Sequence, residues 1–148
     1  MEVQPDFKEL LALFNARKIE YVIVGAFALA FHGAPRFTGD LDILIKPDPQ
    51  NAQRVIEALD EFGFKSIGLA VDDFTRPESV VQLGVPPVRV DLLTSLTGVV
   101  WDEVWKGKKE SLYGGIPVPY LGRQQIIANK RALGRKKDLA DLETLGVE

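Results

Sequence analysis

The run Asp40-Leu41-Asp42-Ile43-Leu44-Ile45-Lys46 restricts the fold more than any other part of the chain. Leu41 to Lys46 has the composition of a strand, and strand side chains alternate between faces. Asp40 and Asp42 therefore project to one side, and Leu41 and Ile43 to the other. Two close carboxylates raise each other's pKa, so a chain that puts both on an otherwise apolar strand calls for a compensating cation. The sequence has no cysteine and one histidine, His32. A ligand set of hard oxygens suits Mg2+, with Mn2+ as a substitute. An isolated Asp-x-Asp also fits a surface turn or a strand end, so the pair needs support from elsewhere.

That support comes from Val88-Arg89-Val90-Asp91-Leu92-Leu93. Its apolar flanks put Asp91 inside a strand, where an unpaired charge is costly. If this strand neighbours the first, Asp91 joins Asp40 and Asp42 around two metal ions about 3.5–4 Å apart, the arrangement of in-line phosphoryl displacement. The alternative is an ion pair between Asp91 and Arg89 or a lysine on a helix. A third feature is Gly25-Ala26, where the apolar run Ile19 to Val24 stops and helix-forming residues begin at once. Backbone N–H groups at such a turn attract phosphate. The turn matches neither G-x-x-x-x-G-K-[ST] nor G-x-G-x-x-G, and by itself a glycine there is equally a packing requirement.

The periodicity around these motifs predicts an α/β (α+β) fold, a mixed central sheet flanked by helices. Helices are expected over residues 5–17, 26–32 and 47–62, a helical turn over 101–105, and a C-terminal helical pair over 123–133 and 135–145. Strands are expected over 19–24, 41–46, 64–70, 80–83 and 88–93. Residues 71–78 read as a polar loop and 111–120 as an extended region. The 148 residues, 46% hydrophobic and 26% charged, fit one domain over 1–148 with a helical C-terminal portion near 122–146. The longest apolar run, Tyr21 to Phe31, falls short of the roughly 18 residues that span a membrane. The first residues lack the basic start and cleavage site of a secretory leader, which makes a cytoplasmic location the expectation.

Taken together, Val22-Ile23-Val24-Gly25-Ala26-Phe27-Ala28-Leu29, Pro35-Arg36-Phe37-Thr38-Gly39-Asp40-Leu41-Asp42-Ile43-Leu44 and Val88-Arg89-Val90-Asp91-Leu92-Leu93 resemble the DNA polymerase beta-like nucleotidyltransferases. The resemblance is greatest to the minimal prokaryotic branch and to AbiEii-type toxins of toxin-antitoxin systems. The segment Lys130-Arg131-Ala132-Leu133-Gly134-Arg135-Lys136-Lys137-Asp138-Leu139-Ala140-Asp141-Leu142 looks like that branch's C-terminal helical signature. The resemblance implies a glycine turn for triphosphate at Gly25 and Ala26, and a metal pair on Asp40 and Asp42 with Asp91 as the third carboxylate. It also implies transfer of a nucleoside monophosphate from a nucleoside triphosphate to an acceptor hydroxyl. Ala26 departs from the serine or second glycine of the family pattern and removes a hydroxyl contact to phosphate.

Arg36 offers a planar phosphate donor or a surface ion pair. Lys130 and Lys137 neutralise triphosphate if the C-terminal helices fold back over the sheet, and otherwise are solvated helix lysines. The net charge is −3, yet basic residues crowd the C-terminal third, which fits a polyanionic partner such as RNA, a tRNA included. A protein side chain or a small aminated sugar is an equally compatible acceptor. Two competing functions use the same residues: a nucleotide-binding or toxin-antitoxin interaction protein with little turnover, and a two-metal phosphohydrolase.

Overall fold

A computed structural model of the chain describes residues 3–35, 39–64, 68–85 and 87–147. Helix α1 (Pro5–Ala16) begins on proline, with the Gln4 side chain accepting from the Asp6 N–H, and buries Phe7, Leu10, Leu11 and Phe14. Proline is tolerated there because the first N–H groups of a helix have no internal partner. Strand β1 (Tyr21–Val24) is buried throughout and passes directly into α2 (Gly25–Phe31). Strand β2 (Asp40–Ile45) follows, then α3 (Pro49–Leu59), which Asp48 caps by accepting from the Asn51 N–H.

Strands β3 (Val80–Val85) and β4 (Val88–Leu93) form a tight antiparallel pair. After α4 (Trp101–Gly107), strands β5 (Lys109–Tyr113) and β6 (Ile116–Tyr120) make a second hairpin. Its turn, Gly114-Gly115, has φ of +57° and +85°, a conformation that favours glycine. Helices α5 (Arg123–Leu133) and α6 (Lys136–Thr144) end the chain, separated by Gly134 at φ +62°.

The strands make one mixed sheet in the order β3-β4-β2-β1-β6-β5. The β2·β4 and β1·β6 pairs are parallel, and the other pairs are antiparallel. Parallel neighbours require a crossover, and α3 lies within the one that joins β2 to β4. Side-chain alternation sorts the sheet into two faces. Tyr21, Ile23, Leu41, Ile43 and Ile45 pack with α1 and α3. Val22, Val24 and Leu44 pack with Ala28, Leu29, Val104 and Ile126 from α2, α4 and α5. Asp40 and Asp42 occupy this second face, beyond Leu44.

Two segments differ from the sequence expectation. Residues 64–70 hold no strand among the described positions: α3 runs into a π-helical turn over Asp60–Phe64, and residues 68–70 have no regular structure, residues 65–67 lying outside the described set. The expected polar loop over 71–78 contains a 3-10 turn, Val71–Phe74, that carries Phe74 into complete burial against the first core. Polar neighbours masked one anchoring aromatic. Phe74→Ala is therefore expected to lower unfolding free energy by about 3–5 kcal/mol in urea denaturation. Val85→Ala, at a side chain 74% exposed, is expected to stay within about 0.5 kcal/mol of the parent.

Candidate active site

The register of β2 on β4 sets Asp42 directly opposite Asp91, with Asp40 opposite Arg89. Directly paired residues of neighbouring strands project to the same face, so Asp40, Asp42, Arg89 and Asp91 share one side of the sheet. The same transverse row continues to Val24 on β1 and Gln82 on β3. Asp91 is thus on the aspartate face, and it is also ion-paired, as the alternative reading had it. Arg89 Nε lies 3.2 Å from Asp91 Oδ1 and its Nη2 3.3 Å from Asp91 Oδ2, while Nε stands 3.7 Å from Asp40 Oδ2.

This crowding has an electrostatic signature at Asp42. Burial, then the charges of Asp91 and Asp40 and a carboxyl–carboxyl hydrogen bond with Asp91, push its pKa up to about 7, against a smaller opposing pull from Arg89. Among the described residues no group of three or more His, Cys, Asp or Glu side chains forms a ready metal cage. Three carboxylates nonetheless lie on one face with Arg89 as the cation among them, and their oxygens are hard donors of the kind a divalent ion such as Mg2+ takes.

Gly25 completes this corner. It has φ +67°, and a Cβ at this position would overlap the Asp42 carboxylate, so the glycine is needed for both conformation and close approach. Its amide and that of Ala26 open α2 beside Asp42.

Asp42, Asp91 and Gly25 line a cavity of about 320 Å3. Leu29, Leu93, Leu121, Ile126 and Leu133 make its apolar wall, and Asn129, Lys130 and Arg135 its polar far side. Lys130, 12% exposed, is held 3.3 Å from Asp138 and 3.0 Å from Asp141. Asp138 is fully buried. It accepts from the Arg135 backbone N–H and from its guanidinium, and this Arg135 bonding is the main reason its pKa falls to about 2. Asp138 thus caps α6, and together with Asp141 it fixes a lysine at the cavity wall.

The structure brings Asp40, Asp42, Asp91, Gly25, Ala26 and Lys130 to one region of the molecule. It leaves Lys137 exposed on α6, away from the cavity lining. Arg36 lies outside the described residues. Sequence reading named Arg89 only as a possible partner of Asp91, yet alternation alone places it on the carboxylate face. Asn129 and the apolar wall carried no local signal, since they come from α2, β4, Leu121 and α5 and meet the carboxylates only through tertiary packing. His32 has a structural role: its Nε2 is 2.8 Å from the Leu121 carbonyl oxygen. Trp101 and Trp105 stack on each other at 5.4 Å and pack on the second core.

A mixed sheet with helices on both faces, a C-terminal helical pair and carboxylates on adjacent strands is the polymerase-beta-like nucleotidyltransferase arrangement. The family described as "Nucleotidyl transferase AbiEii toxin, Type IV TA system" matches residues 10–145, and the chain belongs to that family. Similar solved structures include TM1012 from Thermotoga maritima, a nucleotidyltransferase candidate, with TM-score 0.62, 16% identity and coverage of 98% of this chain and 93% of that one. The lincosamide antibiotic adenylyltransferase LnuA, in its lincomycin-bound form, gives TM-score 0.51 at 14% identity over 97% and 96% of the two chains. An antigenic nucleotidyltransferase-like protein from Paracoccidioides brasiliensis gives TM-score 0.51 at 19% identity over 95% and 72%. At these identities the likeness is one of fold. No significant match was found among curated proteins. No helix among the described residues is long and apolar enough to cross a membrane.

The raised Asp42 pKa has a definite sign in stability. A carboxyl that binds its proton more tightly when folded favours the folded state below its unfolded pKa, and that contribution is lost as pH rises from about 4 to about 7. Metal-free Asp42→Asn is therefore expected to gain thermal stability over the parent progressively across that window and to hold the gain at pH 8, as read from melting temperatures at each pH.

Proposed function

We propose that the chain is a metal-dependent nucleotidyltransferase that moves a nucleoside monophosphate from a nucleoside triphosphate to an acceptor hydroxyl and releases pyrophosphate. The observation that carries this reading is the direct facing of Asp42 and Asp91, with Asp40 on the same face and the Gly25 turn alongside. Asp40 and Asp42 would hold both of two Mg2+ or Mn2+ ions, and Asp91 the one on the acceptor side. Bound there, the ions would polarise the α-phosphate and lower the pKa of the incoming hydroxyl.

The chain's own residues orient the reactants. The backbone amides at Gly25 and Ala26 are directed to the β- and γ-phosphates, so that the α-phosphorus stands toward the carboxylates. Arg36 is assigned to a phosphate oxygen, and Lys130, which lines the same cavity, to neutralising triphosphate charge. The acceptor oxygen bonds to the α-phosphorus as the α–β bridging P–O bond breaks, and the acceptor proton leaves toward the carboxylate side. The lysine and arginine residues exposed on α5 and α6 favour RNA, tRNA included, as the acceptor, with a protein side chain or a small aminated sugar as the other classes.

Ala26 favours a second reading. With no side-chain hydroxyl at the phosphate turn, the same site serves as a nucleotide-binding or toxin-antitoxin interaction module with little turnover. Labelled triphosphates, Mg2+ and a cell extract separate the two. The transferase labels RNA, protein or a small molecule and releases pyrophosphate, whereas the binder gains thermal stability with Mg2+ and nucleotide without forming product. For the transferase, Asp42→Asn and Asp91→Asn are each expected to reduce labelled transfer by at least about a hundredfold with an unchanged circular dichroism spectrum. Transfer at parental rate in either variant would refute the assigned roles.

A further inference from the structure

Arg89 is two residues before Asp91 on β4 and opposite Asp40 on β2, so strand geometry carries its side chain onto the carboxylate face. Its fork engages both oxygens of Asp91, at 3.2 and 3.3 Å, and reaches Asp40 at 3.7 Å. It therefore bridges the two carboxylates that flank Asp42. Bidentate guanidinium–carboxylate pairs are among the stronger polar contacts. Both Asp91 oxygens are thus engaged by the fork. The Arg89 side chain is 31% exposed and that of Asp91 14%. A fork that leaves Asp91 can thus move into solvent without stranding a buried charge.

We infer that Arg89 is a built-in counter-cation of the carboxylate centre, which a divalent ion must displace from Asp91 and Asp40 in order to bind. This rests on the metal-centre reading above. The exchange breaks no covalent bond: one bound positive group leaves as another arrives, and Asp91 turns from the fork to the ion. Arg89 then weakens divalent-ion binding in the nucleotide-free protein and limits the charge repulsion that the empty centre would otherwise hold. A point charge such as lysine in its place would repel the ion to a similar extent but would not engage both Asp91 oxygens.

The test is a calorimetric titration of the full chain with Mn2+, without nucleotide, in the parent, Arg89→Gln and Arg89→Lys. Displacement of charge-assisted hydrogen bonds predicts Mn2+ binding at least about tenfold tighter in Arg89→Gln than in the parent, with Arg89→Lys in between. Equal or weaker binding by Arg89→Gln would overturn the inference, and Arg89→Lys indistinguishable from the parent would overturn the role of the fork. A measurement on the parent protein decides the matter even if a variant fails to fold: the Arg89 Nε–Hε resonance should shift in step with Mg2+ occupancy. A resonance unmoved while Mg2+ binds would overturn the inference and leave the metal centre standing. No ion bound by any form would overturn the metal reading and this inference with it.

Discussion

The structure depends on one costly contact, the facing of Asp42 and Asp91 across two parallel strands. Two carboxylates within hydrogen-bonding distance, both mostly withdrawn from water, would be selected against in a purely structural sheet, because each raises the energy of the other's charged form. The parallel pairing that creates the contact exists because α3 carries the chain across the first face and returns it beside β2. The core beneath is correspondingly rigid. Leu41, Ile43, Ile45, Val90 and Leu92 are buried on the opposite side of the same strands and fix the register. A slip of one residue would turn both aspartates into that core.

Neighbouring features answer this contact. Gly25 is bare because Asp42 occupies the volume a Cβ would need. Arg89 supplies positive charge from within the same strand as Asp91. Further off, Lys130 is held at the cavity wall by Asp138 and Asp141, and Arg135 by Asp138. The C-terminal helical pair is therefore joined by an ionic network at the same cavity the carboxylates line. Carboxylates, basic groups and leucines thus line one cavity, a mixture that suits a ligand both polyanionic and partly apolar, as the proposed function requires.

What was legible in the sequence followed from period-two alternation and from local stop signals. Asp40 and Asp42 could be placed on one face because alternation is a local rule, Asp91 only on the condition that its strand neighbours theirs, and β4 and α5 could be bounded because proline, glycine and apolar periodicity mark their ends. Phe74 was hidden because a single aromatic in a polar stretch has no period. The sequence reads as one extended region over 111–120 where the structure has a hairpin from 109 to 120, because Gly114-Gly115 lies between short alternating runs weakened by Pro117 and Pro119. Arg89 was visible as a neighbour of Asp91. Its reach to Asp40 was not, since that depends on which strands pair. Lys130 and Lys137 were indistinguishable in sequence, and only the packing of α5 on the second face separates a cavity lysine from an exposed one.

The central claim is that the face shared by Asp40, Asp42 and Asp91 is a divalent-metal centre serving a nucleotide in the adjoining cavity. Its most direct measurement is the anomalous diffraction of Mn2+ in crystals grown with a non-hydrolysable nucleoside triphosphate. The account predicts manganese density within ligand distance of Asp40, Asp42 and Asp91, about 2.0–2.3 Å, with the triphosphate at the Gly25 turn. Manganese absent from these carboxylates, with nucleotide bound elsewhere, would contradict it.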